Sequence, residues 1–136
     1  MAIKSDIQNR TDIKKLINAF YEKMLEDKLL GYIFTDVAKI QLSKHLPHLY
    51  DFWENALFYT GTYKRDLMDI HLDLHFNLHR LEKEHFDQWL QLFNETVDAL
   101  FNGEKATIAK ERAKSIAIVM HLKIQDLEKK RLEFGN

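Results

Sequence analysis

The sequence contains no cysteine, so it can form no disulfide framework, no thiolate zinc site and no thiolate ligand to iron. Four glycines and one proline interrupt its 136 residues, too few to separate the many short strands of a β-rich fold. No stretch alternates apolar and polar residues over the length of a strand. These absences predict an all-α protein.

Neither sign of charge dominates the chain, since 20 lysines and arginines stand against 21 aspartates and glutamates and the net charge is −1. This balance gives no support for a nucleic-acid surface or a polybasic membrane patch, so neither kind of partner is expected. The apolar runs are too short to span a bilayer, and residues 1–10 have no apolar stretch of signal-peptide length. We therefore expect a cytoplasmic protein.

Hydrophobic residues make up 46% of the chain and aromatic residues 12%, enough for one buried core. Apolar residues recur at helical spacing in four long stretches, with Trp53 on the second stripe and Trp89 and Phe93 on the third. The first predicted long helix begins after Thr11 as N-cap and runs towards Gly31. The second covers about 44–60, with Ser43 as N-cap and Pro47 in its first turn. The third and fourth cover about 82–102 and about 105–131. A short helix is expected at about 67–74.

Seven histidines raise the question of a metal site. His71, His75 and His79 lie at i, i+4 and i+8, which would align them for zinc or copper if their helix continued. No HExxH motif is present, and a di-iron bundle needs two Glu-x-x-His motifs where this chain has one, ending at His85. Otherwise His75, His79 and His121 are ordinary hydrogen-bonded histidines, and His85 packs at a helix start.

A haem pocket needs one neutral histidine on a helix and an apolar slot for a flat macrocycle. Around His71 the apolar residues Met68, Ile70 and Leu74 would supply such walls. The carbonyl of Leu67, four residues back, could accept the Nδ1 proton and leave Nε2 for iron. Spacing alone leaves the metal, haem and ordinary interpretations of these histidines open.

Several short motifs then stand in a specific order: AFYEK at 19–23, GYIF at 31–34, His45 followed by FW at 52–53, HLDL at 71–74, HFDQWLQLF at 85–93, ETVDALFNG at 95–103 and AKERAKSIA at 109–117. Each motif is a weak signal, but from about residue 12 to 120 their order and spacing resemble the truncated haemoglobins of group III. The resemblance implies an all-α, truncated globin-like two-over-two helical sandwich. It also implies one domain over residues 1–136, with 1–10 and 130–136 at its periphery.

The resemblance further implies haem b (iron protoporphyrin IX) as cofactor, with His71 as the proximal iron ligand. Tyr21 and Trp89 fall at positions that donate hydrogen bonds to a bound ligand, and His45 falls at the distal position. Pro47 departs from the family pattern near the start of the distal helix, which leaves two roles open for His45: stabilising the bound ligand or gating the pocket. Apolar residues expected to contact the haem are Phe20, Phe34, Leu49, Phe52, Met68, Ile70, Leu74 and Phe86.

Under this resemblance the chain binds O2, NO and CO. Two donors would retain bound O2, which favours oxygen-ligand chemistry, such as NO detoxification or a peroxidase-like reaction, over simple O2 storage. Either reaction needs an unidentified electron donor, because no flavin or nicotinamide motif is present. The alternative from another class is a non-haem helical domain that binds a protein partner through an aromatic groove. A gas or redox sensor would need an output domain, for which the chain has no room.

Overall fold

A computed structural model describes residues 3–33, 35, 42–60 and 81–133. Over these ranges the regular structure is helical, which confirms the all-α prediction. It comprises α1 (Arg10–Glu26), α2 (Leu42–Phe58), α3 (Lys83–Leu100) and α4 (Glu104–Glu133). The predicted short helix at about 67–74 lies outside the described residues, as do Phe34, Met68, Ile70, His71, Leu74, His75 and His79.

The start of α1 is set by Asn9, whose side-chain oxygen accepts a hydrogen bond from the backbone N–H of Asp12 at 3.0 Å. The predicted cap, Thr11, is therefore wrong; it lies one residue inside the helix. Both residue types cap helices well, so the local sequence does not choose between them. The apolar stripe predicted for this helix is buried at Ile13, Leu16, Ile17, Phe20 and Met24 and half-buried at Leu25, and Tyr21 at its edge is buried as well.

The end of α1 lies at Glu26 rather than at Gly31, because Asp27 adopts an extended backbone. Gly31 does not end the helix; it lies where the chain passes close to the helix end, and a Cβ there would be 2.4 Å from the carbonyl oxygen of Leu25. Only glycine allows the chain to pass so close to the end of the helix. The Asp27 carboxylate also accepts a hydrogen bond from Gln88 Nε2 at 2.6 Å, which ties this corner to α3.

Helix α2 begins at Leu42, earlier than predicted, so Ser43 lies within the helix and Pro47 lies beyond its first turn. Proline has no N–H to give to the carbonyl four residues back, here that of Ser43, yet the helix continues to Phe58. At the other end, Lys105 Nζ donates to the carbonyl of Leu57 at 2.9 Å. A cation there stabilises the negative end of the helix dipole.

The helices pack as two layers: α1 contacts α2 and α3, and α4 contacts α2 and α3. The pair α3 and α4 is antiparallel, because Lys110 bonds Asp98 near the turn and His121 meets Phe86 further along. Small residues let α4 approach its neighbours closely, since Ala106, Ala109, Ala113 and Ala117 are all buried. The arrangement confirms the predicted two-over-two sandwich. Within the described ranges, no helix combines the length and apolar character needed to cross a bilayer.

Asp6, in the segment before α1, caps the start of α4 from about a hundred residues away. Its carboxylate accepts hydrogen bonds from the N–H of Lys105 at 2.8 Å and of Ala106 at 2.9 Å. Burial alone would raise the pKa of Asp6, but these two bonds and one from the Ile7 N–H outweigh it and hold the pKa below its usual value. Gly103 faces this carboxylate with φ +151°, and a Cβ there would lie 2.5 Å from the Asp6 side chain.

Candidate functional site

A hydrogen bond joins α1 to α2 at the residues predicted to be distal, with 2.9 Å between the Tyr21 hydroxyl oxygen and His45 Nε2. The two rings meet edge to face, with centroids 5.7 Å apart. Tyr21 is 7% exposed, and this burial raises the pKa of its hydroxyl, which therefore stays protonated at neutral pH. Which of the two groups donates depends on the imidazole tautomer.

Phe20 lies between Tyr21 and the second predicted donor, Trp89 on α3. Its ring is edge-on to both, with centroid distances of 5.7 Å to Tyr21 and 5.8 Å to Trp89. The Trp89 side chain is half-buried, and no atom of the described residues accepts a hydrogen bond from its Nε1. An indole N–H can only donate a hydrogen bond, so any partner of this group must be an acceptor.

Behind Trp89 the core contains a stack of three rings. Trp89 and Phe93 are nearly parallel, at 14° with centroids 5.8 Å apart, and Phe93 lies against Trp53 at 19° and 4.9 Å. The edge of Phe20 meets Phe93 at 88° and 5.3 Å. The sequence pattern indicated only that Trp53 and Phe93 belong to apolar stripes. The four-residue spacing of Trp89 and Phe93 is the signal that could have shown their contact.

Four of the predicted haem-contacting residues lie in the described ranges. Phe20 is buried, and Leu49 and Phe52 are partly buried against the same core. Phe86 belongs to a second apolar cluster, with Ile33, Leu81, Ala117, Met120 and Ile124, on which Trp89 also packs. The structure therefore brings Phe20, Tyr21, His45 and Trp89 together. The predicted iron ligand, His71, and the contacts Phe34, Met68, Ile70 and Leu74 lie outside the described residues.

Two further histidines, His85 and His121, lie in the described part of the chain and differ in their hydrogen bonding. His85 is buried at the start of α3, as predicted, where its Nδ1 accepts a hydrogen bond from the backbone N–H of Glu82 at 2.8 Å. His121 differs from the ordinary hydrogen-bonded histidine that was expected, since its Nδ1 is buried and bonds to nothing in the described part of the chain. Those same ranges contain no cluster of three or more side chains suited to hold a metal ion.

Comparison with known proteins gives two matches of the same kind. The chain is 32% identical over 118 residues to a group 3 truncated haemoglobin of Campylobacter jejuni, which covers 85% of this chain and 90% of that protein. It also resembles the crystal structure of a group III truncated haemoglobin from Campylobacter jejuni, with a TM-score of 0.78 and 30% identity, over 90% of this chain and 95% of that one. No protein-family model matches the chain.

Proposed function

The chain belongs to the group III truncated haemoglobins, and on that premise we propose that it binds haem b, with His71 as the proximal ligand, and holds O2 and other diatomic ligands. The haem would supply the iron at which such a ligand binds. On its distal side, Tyr21, Trp89 and His45 would hold the ligand. The resulting chemistry is a reaction of the retained ligand, such as NO detoxification or a peroxidase-like reaction.

The observation that carries this proposal is the pair of donors on either side of Phe20. Tyr21 offers a buried hydroxyl beside His45, and Trp89 offers an N–H that no described residue occupies. Aromatic rings flank both groups, so water would compete little for them. Donors set in an aromatic wall fit the distal side of a haem pocket, where a ligand gains negative charge as it binds.

The tautomer of His45 decides what Tyr21 can do. If Nε2 carries no proton, the Tyr21 hydroxyl donates to it and presents only its oxygen elsewhere. If Nε2 carries the proton, His45 donates to the Tyr21 oxygen, and the Tyr21 hydroxyl would then donate in another direction, which we propose is towards the ligand. His45 would thus support Tyr21 as well as line the entrance to the pocket.

The two donors together would retain a ligand strongly. A hydrogen bond to a charged acceptor contributes about 1.5–3 kcal/mol, and each ~1.4 kcal/mol changes a rate or equilibrium tenfold. Two such bonds would slow O2 release by orders of magnitude. Slow release suits a reaction of the ligand in place better than its delivery elsewhere, and that reaction needs electrons from a separate donor.

Haem uptake is tested by titrating haem-free protein with haemin. We expect a new absorption band in the Soret region that saturates at one equivalent and shifts when the protein is reduced and exposed to CO. A non-haem, partner-binding helical domain would instead give only the spectrum of free haemin. That outcome would end the proposal.

The reaction itself is tested by mixing the reduced, O2-loaded protein with NO and following the nitrate formed. We expect nitrate to form stoichiometrically, and much faster than O2 dissociates. If O2 leaves the protein before any nitrate appears, NO detoxification is excluded. Simple O2 storage would then be the favoured function. If the protein catalysed the oxidation of a dye by hydrogen peroxide, a peroxidase-like reaction would be favoured instead.

A further inference from the structure

Phe93 lies at the centre of the stack behind Trp89, with an indole against each face. The ring of Phe93 is fully buried, and its planes are nearly parallel to those of Trp89, at 14°, and of Trp53, at 19°. The three rings come from two helices, α3 and α2. Phe93 can turn little, because Trp53 covers the face that Trp89 leaves free.

The direction of the Trp89 N–H depends on two side-chain torsions, and the second of them has a broad energy minimum. A ring packed against one face of the indole restricts the range of angles that this torsion can adopt. A ring edge from another helix, packed against the same indole, restricts that range further. Phe93 supplies the first contact and Phe20 the second, at 79° and 5.8 Å. No described residue accepts a hydrogen bond from Nε1, so these ring contacts carry the orientation.

We propose that Phe93 is a positioning residue: it fixes the plane of the Trp89 indole so that Nε1–H stays aimed at the bound ligand. This inference rests on the proposed role of Trp89 as a donor. Trp53 acts one step further away, since it holds Phe93 in place. Phe93 itself does not contact the ligand and acts only through Trp89.

The test is the O2 dissociation rate of the haem-loaded protein in a double-mutant cycle. Phe93→Leu removes the ring and keeps an apolar side chain, and we expect it to speed O2 dissociation about three- to tenfold, by no more than Trp89→Phe does. In the Trp89→Phe background, Phe93→Leu should leave the rate unchanged. The proposal would be overturned if Phe93→Leu alone left the O2 dissociation rate unchanged. It would also be overturned if Phe93→Leu changed that rate equally in the wild-type and Trp89→Phe backgrounds.

Two controls separate positioning from simple packing. Phe101→Leu makes the same change at another buried phenylalanine, directly after α3, and should leave the O2 rate unchanged. If Phe93→Leu does not fold, Phe93→Met removes the ring with a side chain that adapts to the space, and the same rate increase is expected. If O2 dissociated from Phe93→Met no faster than from wild type, or if Phe101→Leu sped O2 dissociation as much as the Phe93 variant does, a specific role for Phe93 would be contradicted.

A second readout does not depend on ligand binding. The chain has two tryptophans, so a Trp53→Phe background leaves Trp89 as the sole indole. There we expect the near-ultraviolet circular dichroism of the Trp89 indole to weaken when Phe93→Leu is added; an unchanged band would overturn the positioning role. If instead Trp89→Phe leaves O2 dissociation unchanged while the band weakens, the donor role of Trp89 is what fails.

Discussion

Replacing Tyr21 by phenylalanine removes one buried hydroxyl and leaves the ring that packs on Phe20. A bound O2 would lose a charge-assisted hydrogen bond of about 1.5–3 kcal/mol. Part of that loss is offset, because in the unliganded protein the hydroxyl already bonds His45 Nε2 at 2.9 Å, and an ordinary bond of this kind contributes about 0.5–1.5 kcal/mol. The net difference is about 1–2 kcal/mol, so we expect O2 to dissociate roughly 5- to 30-fold faster.

The assay is stopped-flow mixing of the O2-loaded protein with dithionite and CO, which removes free O2 and captures the empty site. Tyr50→Phe is the matched control: Tyr50 is also buried, and its hydroxyl donates to the side-chain oxygen of Asn18, between α1 and α2. That variant should leave the O2 rate unchanged. CO gains much less negative charge than O2, so CO dissociation from Tyr21→Phe should change far less.

Two results would refute this reasoning. An O2 dissociation rate in Tyr21→Phe equal to the wild-type rate would mean that the hydroxyl stays with His45 and does not reach the ligand. An equal acceleration for CO and O2 would mean that the substitution opened the pocket instead of removing a hydrogen bond. In either case Tyr21 would be a structural partner of His45, and Trp89 alone would remain as a proposed donor.

The contact between Asp6 and the turn at Gly103 gives two predictions about stability, both measured by urea unfolding followed by circular dichroism. Asp6→Ala leaves two N–H groups at the start of α4 without their acceptor and should lower the free energy of unfolding by about 1–2 kcal/mol at pH 7. Because the folded-state pKa of Asp6 is lowered, its contribution is complete above about pH 4 and is lost as the pH falls through the folded-state pKa. The gap between wild type and variant should therefore shrink in acid; a constant gap would argue against the charged carboxylate. Gly103→Ala, with φ +151° and Asp6 2.5 Å from the new Cβ, should destabilise the fold by about 1–3 kcal/mol, and a neutral result would show that the turn can relax.

Much of the fold could be predicted because helical spacing reports directly on which face is buried. The alanines of α4 and the stripe of α1 are buried where the periodicity places them. Helix ends were predicted less well. Asn9 and Thr11 are both residue types that cap helices, and the sequence around Pro47 gives no sign that α2 starts about two residues earlier than predicted.

Contacts between distant segments could not be read from local patterns at all. Asp6 caps a helix that begins about a hundred residues later, and no short-range signal announces it. At the candidate site, the resemblance to a family brought Tyr21, His45 and Trp89 to attention, and the structure shows the first two bonded. The resemblance could not show that Phe93 stacks on Trp89, because a family pattern identifies positions in the sequence and gives no ring orientations.

The whole proposal depends on the bond between His71 and haem iron, and the absorption spectrum of His71→Ala measures it most directly. We expect wild-type protein to take up haemin and give a Soret band that His71→Ala lacks, and added imidazole to restore it in part. His75→Ala and His79→Ala, at the two neighbouring histidines, should keep the wild-type band. Full haem retention in His71→Ala, or loss of the band in one of the other two variants, would contradict the assignment.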